Sequence, residues 1–178
     1  MNEVNTKGQA LKKGLTLFEG IIVIFIILFI LLILLPLPIS FKPQAPRIRC
    51  ASNLKQLNLA LHIYAYDFSD TYPTPEKWSD LLISEIDDID EEMFRCPAVE
   101  EGKCHYAVNP KCEPNSPADI VLLFETKGGW NQFGGPELMA IDNHTQRGCN
   151  IGYNDGHVEF VKEEEIGDLK WSYEENNE

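Results

Sequence analysis

The 178-residue chain lacks several common signatures of chemistry. It holds five cysteines, Cys50, Cys96, Cys104, Cys112 and Cys149, but no Cys-x-x-Cys pair. That absence argues against a zinc ribbon or a thioredoxin-like dithiol, which need two sulfurs on one tight turn. The glycine-rich stretch around Gly128-Gly129 and Gly134-Gly135 lacks a Gly-Lys-Ser/Thr ending, so it is not a phosphate cradle. No nucleophile–base arrangement is visible, and the chain reads as non-enzymatic. Basic residues are scarce beyond position 60: residues 61–178 carry eight Lys or Arg against 26 Asp or Glu, a formal −18 with His neutral. Such a surface repels nucleic acid and offers anionic lipid no polybasic patch. After Leu35 the chain reads Pro36-Leu37-Pro38-Ile39-Ser40, with no small-x-small cleavage site and no lipobox cysteine. The apolar run before it is therefore expected to stay in the mature protein.

That run is the most pronounced feature present. From Leu15 to Leu35 only Thr16, Glu19 and Gly20 interrupt apolar side chains. As a helix it spans ~32 Å, close to the ~30 Å hydrocarbon core of a bilayer. A chain of this size has little core in which to hide a helix apolar on every side. Lys7, Lys12 and Lys13 precede the run, which predicts a cytoplasmic N-terminus and an exported C-terminus. A carboxylate within the membrane costs ~2.5–3.5 kcal/mol on insertion scales, so Glu19 is a functional candidate. In an exported domain one or two disulfides among the five cysteines are expected, and an odd count leaves at least one thiol unpaired within the chain.

The boundary sequence Lys12-Lys13-Gly14-Leu15-Thr16-Leu17-Phe18-Glu19 resembles the processing site of type IV prepilins and type II secretion pseudopilins. The resemblance implies cleavage by a prepilin peptidase between Gly14 and Leu15, N-methylation of Leu15, and an assembly role for Glu19 at the fifth mature position. Leu15 stands where that family usually has Phe. It implies four segments: a leader (1–14), a transmembrane and assembly helix (15–35), a proline-rich linker (36–46) and an extracytoplasmic head (47–178). The fold class implied is α+β and pilin-like. A long hydrophobic helix, interrupted by prolines, leads to an amphipathic helix packed on a small antiparallel sheet.

In the head, Ile48, Ala51, Leu54, Leu57, Leu61, Tyr64 and Phe68 recur at spacings of three or four and predict an amphipathic helix. Trp78 to Ile86 reads as a short helix or turn. Strands are expected at Cys104–Val108, Ile120–Glu125, Leu138–Ile141, Asn150–Tyr153 and His157–Val161, with Asn154-Asp155-Gly156 as a hairpin turn. Glu163–Leu169 reads as a terminal helical turn and Tyr173–Glu178 as a frayed end. The stretch Arg49-Cys50-Ala51-Ser52-Asn53-Leu54-Lys55-Gln56-Leu57, the element Cys96-Pro97, and His144 with Asp155-Gly156 are similar to prepilin-type proteins named for a His, nine residues and Asp-Gly. Here ten residues separate His144 from Asp155, one more than in that pattern.

Asp142, His144, Asp155 and His157 are the constellation whose residue types could ligate a divalent metal, and Asp142 with Asp155 could help hold Ca²⁺. The alternative is that Asp155 makes the turn while the histidines pack or cap. No cofactor is otherwise implied. The expected partners are the prepilin peptidase, other pilin-like subunits and the membrane. A second reading is a tethered acidic module that binds a ligand or Ca²⁺ and never polymerises.

Overall fold

The computed structural model describes residues 17–34 and 45–173, in two units divided between Ser40 and Phe41. The expected cleavage and methylation positions Gly14 and Leu15, most of the proline-rich linker, and residues 174–178 of the expected frayed end lie outside the described residues.

The first unit contributes α1, Leu17–Leu34, with no buried residue. Its apolar side chains are exposed all round, from Leu17 and Phe18 to Leu34. Among the described residues it is the helix long and apolar enough to cross a membrane, a property shared by single-pass anchors and signal sequences.

The second unit opens with α2, Ala45–Asp67. Residues 45 and 46, which the sequence assigns to the linker, are helical. Pro46 lies in the first turn, where its missing N–H costs no intrahelical bond. The helix buries Cys50, Leu54, Leu57, Asn58, Ala60, Leu61, Tyr64 and Ala65. Ile48, expected on this face, is instead exposed. The reason is angular: two steps of three residues, from 48 to 54, leave a side chain ~120° off the stripe. Phe68 is partly exposed yet stacks on Tyr64, with ring centroids 4.2 Å apart. Just past the helix, Ser69 and Asp70 adopt left-handed backbone, and the Asp70 N–H bonds the Ala65 carbonyl at 2.8 Å.

A five-stranded sheet supports α2. Its strands are β1 Tyr106–Val108, β2 Val121–Glu125, β3 Gln132–Phe133, β4 Gly148–Tyr153 and β5 Val158–Lys162, in the order β3-β1-β2-β4-β5. The architecture is α+β, as expected, but the sheet is mixed rather than antiparallel, because β3 runs parallel to β1. The expected strand at Leu138–Ile141 does not form. Pro136–Leu138 is a 3-10 turn, and Met139 makes a single bridge to Thr126. β1 and β4 take both edges of β2 as far as Phe124, so the segment reaches only the strand's end, where the Ala140 N–H bonds the Glu125 carbonyl at 3.0 Å.

Strands β2 and β4 are buried along their full length because the sheet is covered on both faces. On one face α2 packs with α3, Trp78–Glu85, Phe94 and Leu123. On the other, Phe124, Ile151 and Val161 meet Met139, Ile166 and Trp171. Gly152 lets α2 approach β4, since a Cβ there would stand 2.7 Å from Asn58 Nδ2. Asn58 then donates to the Tyr153 carbonyl at 3.0 Å, fixing helix to strand. The turn after β4 is the expected hairpin: Gly156 takes the positive φ, and the Tyr153 N–H bonds the His157 carbonyl. The glycine-rich loop carries β3 and docks on α3. Asn131 Oδ1 accepts from the Ser79 N–H at 2.8 Å, while Trp130 Nε1 donates to Asp80 at 2.7 Å. Asn131 Nδ2 also donates to Asp80 at 2.6 Å, and the two donations to that carboxyl, first from Trp130 and then from Asn131, hold it below its usual range.

Candidate functional site

Two features of the described residues call for a chemical explanation. One is α1, whose unbroken apolar surface carries one ionisable side chain, Glu19, in its first turn. The other is a polar cluster sealed beneath α2.

The cluster is built at the end of β2. The strand alternation that sends Phe124 to one face sends Glu125 to the α2 face, where it is wholly buried. Three donors surround its carboxylate. His144 Nε2 lies 2.9 Å from Oε1 and 3.1 Å from Oε2. From β4, the Asn150 backbone N–H reaches Oε2 at 2.7 Å and its side-chain amide reaches Oε1 at 2.9 Å. A carboxylate so enclosed needs these bonds, because desolvation is otherwise uncompensated. Arg47 and Phe160 close the side toward solvent: the guanidinium carbon sits 4.6 Å above the ring, and the ring meets His144 edge-on at 6.1 Å.

Next to this carboxylate, Cys50 of α2 is joined to Cys96 by a disulfide with Cα atoms 5.1 Å apart. Cys96 Sγ is 3.9 Å from Glu125 Oε1. One ligand atom each from Cys50, Cys96, Glu125 and His144 falls within 4.8 Å of the others. His105 anchors the loop that presents Cys96. Its Nδ1 accepts from the Cys96 N–H at 3.0 Å, so its Nε2 carries the proton and donates to the Glu101 carbonyl at 2.7 Å.

The remaining cysteines, Cys104, Cys112 and Cys149, are buried thiols. Burial pushes Cys104 up to about 11 and Cys112 up to about 12. Burial and then the Glu125 charge raise Cys149 further. All three are held as thiols rather than nucleophilic thiolates.

Of the four residues singled out from the sequence, only His144 enters this cluster. Asp142 is exposed and pairs with Lys127 at 3.3 Å. Asp155 accepts the His157 backbone N–H at 2.9 Å and its Nδ1 at 2.5 Å within the hairpin turn. Those bonds, the backbone one first, hold the Asp155 carboxyl low. The His157 ring lies flat on Tyr153, with centroids 4.2 Å apart. Sequence reading missed Glu125 and Asn150 as site residues. The available signal was an acidic residue closing a strand that is otherwise entirely apolar.

No family model matches the chain, and neither a curated protein nor a solved structure matches it.

Proposed function

We propose that this chain is a processed, membrane-anchored pilin-like subunit that assembles through its N-terminal helix into a type IV pilus or type II secretion-like filament. It acts without catalysis, and its partners are the prepilin peptidase, other pilin-like subunits and the membrane. The observation that carries the reading is α1: eighteen residues of exposed apolar surface with a carboxylate in the first turn. Such a surface needs a cover, either lipid or copies of the same helix. Glu19 gives the copies a reason to meet, because a neighbour's α-amine would neutralise a charge that is costly in hydrocarbon. The processing motif Gly14-Leu15 and the lysines before it supply the amine and the orientation, with the acidic head outside the cytoplasm. An α+β head in which α2 lies on a sheet suits this role, as does the staple between Cys50 and Cys96 in an oxidising compartment.

The test is crosslinking between subunits through cysteines placed along α1 in native membranes. Ladders in wild type that disappear in Glu19→Ala, with the monomer still inserted, are the expected result. Equal crosslinking in both would favour the solitary tethered module.

A further inference from the structure

We infer that the Cys50–Cys96 disulfide and the Glu125–His144 pair form a redox-gated zinc site: reduction of the disulfide creates a buried four-ligand site of two thiolates, one carboxylate and one imidazole. The inference goes beyond the assembly role and does not depend on it.

Zn²⁺ takes four ligands from Cys, His and Asp or Glu in a closed tetrahedron when its role is structural. Here two sulfurs, a carboxylate oxygen and an imidazole nitrogen already converge within 4.8 Å, and all four residues are buried. The Glu125–His144 separation of 2.9 Å and the Cys96–Glu125 separation of 3.9 Å bracket the spacing between adjacent ligands of such a tetrahedron, which is about 3.3–3.8 Å for the usual zinc–ligand distances. The sulfurs must part to about 3.8 Å once their bond is broken. Side-chain rotation provides that movement, since the Cα atoms stand only 5.1 Å apart on α2 and the Cys96 loop.

The shell around the ligands is also in place. Asn150 gives Glu125 two hydrogen bonds, at 2.7 and 2.9 Å, which orient the carboxylate and offset its charge. His105 holds the Cys96 backbone at 3.0 Å. Metal sites depend on such outer partners for ligand orientation. All four ligands are buried, and the exposed Asp142, Asp155 and His157 are engaged in pairs elsewhere, so the cation would be structural rather than catalytic.

A dithiol reductant supplies two electrons and two protons; the Cys50–Cys96 sulfur–sulfur bond breaks, two thiols form, and the reductant becomes a disulfide. Zn²⁺ then displaces the two thiol protons to solvent and takes the neutral imidazole and the carboxylate as its other ligands. Its two positive charges meet three negative ones, and the Asn150 donors support the excess. The consequence is that α2 is tied to the Cys96 loop in either redox state, by a covalent bond when oxidised and by a cation when reduced.

The experiment uses the full chain in detergent, with Co²⁺ as the spectroscopic probe and Zn²⁺ as competitor. The reduced protein should bind one equivalent of Co²⁺ with a sulfur-to-cobalt charge-transfer band, and Zn²⁺ should bleach that band stoichiometrically. The oxidised protein should bind at least a hundred-fold more weakly. Asn150→Ala should weaken reduced-state binding by about 10–100-fold, and Cys149→Ala should leave it unchanged. Circular dichroism is followed in parallel. If reduction alone unfolds the head, Zn²⁺ must restore the fold. The idea is overturned by a reduced chain that takes up no Co²⁺ whether folded or not. Equal binding by the oxidised form overturns it as well, as does a band that survives in Cys50→Ser/Cys96→Ser.

Discussion

Glu125 and His144 form a carboxylate–imidazole pair at 2.9 Å whose side chains are 0% and 3% exposed, cut off from bulk water on a strand end and a loop. Replacing His144 by Ala leaves the carboxylate with only the Asn150 donors. The expected loss is about 3 kcal/mol of unfolding free energy, read from urea denaturation of the oxidised chain. Glu125→Gln, which keeps an acceptor and removes the charge, should cost less. A loss below about 1 kcal/mol for His144→Ala would mean that the network contributes little to stability.

Gly148 opens β4 with φ +150°, and a Cβ built there would lie 2.4 Å from the Val161 carbonyl oxygen and 2.9 Å from the Lys162 Cα. Backbone atoms cannot rotate aside as a side chain can. Gly148→Ala should therefore cost on the order of 3 kcal/mol through strain and forced separation of β4 from β5. By contrast, Gly156 has nothing within 4 Å of its would-be Cβ, and Gly156→Ala should cost only its positive-φ penalty. Thermal melts of the two variants compared side by side decide the ranking.

His62 supplies the pH dependence near neutrality. Burial lowers its pKa below the ordinary 6.5, against weaker opposing contributions from Asn154 and Asp155. The Tyr72 hydroxyl, 3.2 Å from Nδ1, already donates to Asn154, so Nδ1 carries the imidazole proton; Nε2 is buried without a hydrogen-bond partner. The unfolded chain thus binds a proton more readily than the folded one. The stabilisation is complete above about 6.5 and is lost as pH falls through the depressed folded value. Melting temperature should drop between pH 7.5 and pH 5, and the drop should be smaller in His62→Gln. Identical pH profiles for the two proteins would count against this account.

Processing at Gly14 is testable without assembly. Native material should yield an N-terminal peptide beginning at a methylated Leu15, and Gly14→Arg should retain the leader because a large charged side chain does not fit a site shaped for glycine. A mature chain beginning at Met1, in a host that expresses the peptidase, would defeat the expectation.

Legibility in the sequence followed the range of the interactions. The apolar helix, the amphipathic α2, four of the five strands and the Asn154-Asp155-Gly156 turn are set by local pattern, and they are where the periodicity puts them. Strand β3 has two residues between glycines and exists because β1 offers it an edge, so no period announces it. The failed strand at 138–141 has the opposite cause, a suitable pattern that meets only the end of β2, whose edges are otherwise filled by β1 and β4. The site depends on longer contacts still. Glu125 meets His144 across 19 positions, and Cys50 meets Cys96 across 46. Cys50 was legible as a disulfide candidate, but its partner was not, because the choice among five cysteines is made by the packing of α2. The carboxylate of Glu125 was hidden for a related reason: strand alternation names a face, but only the tertiary fold shows that the face is sealed.

Cys50 lies five residues beyond the start of α2, and its sulfur is bonded into the Cys96 loop. Any tension drawn along the chain from the N-terminal side enters the head through that first turn and a half. A bare helix end would peel residue by residue, each hydrogen bond failing in sequence. With the crosslink in place, the pull is shared at Cys50 with a loop held by His105 and by Asn53, whose side chain grips the Arg95 carbonyl at 3.0 Å. The head is thus riveted at the point where it is tugged, and what must shear is a folded body rather than a fraying strand end.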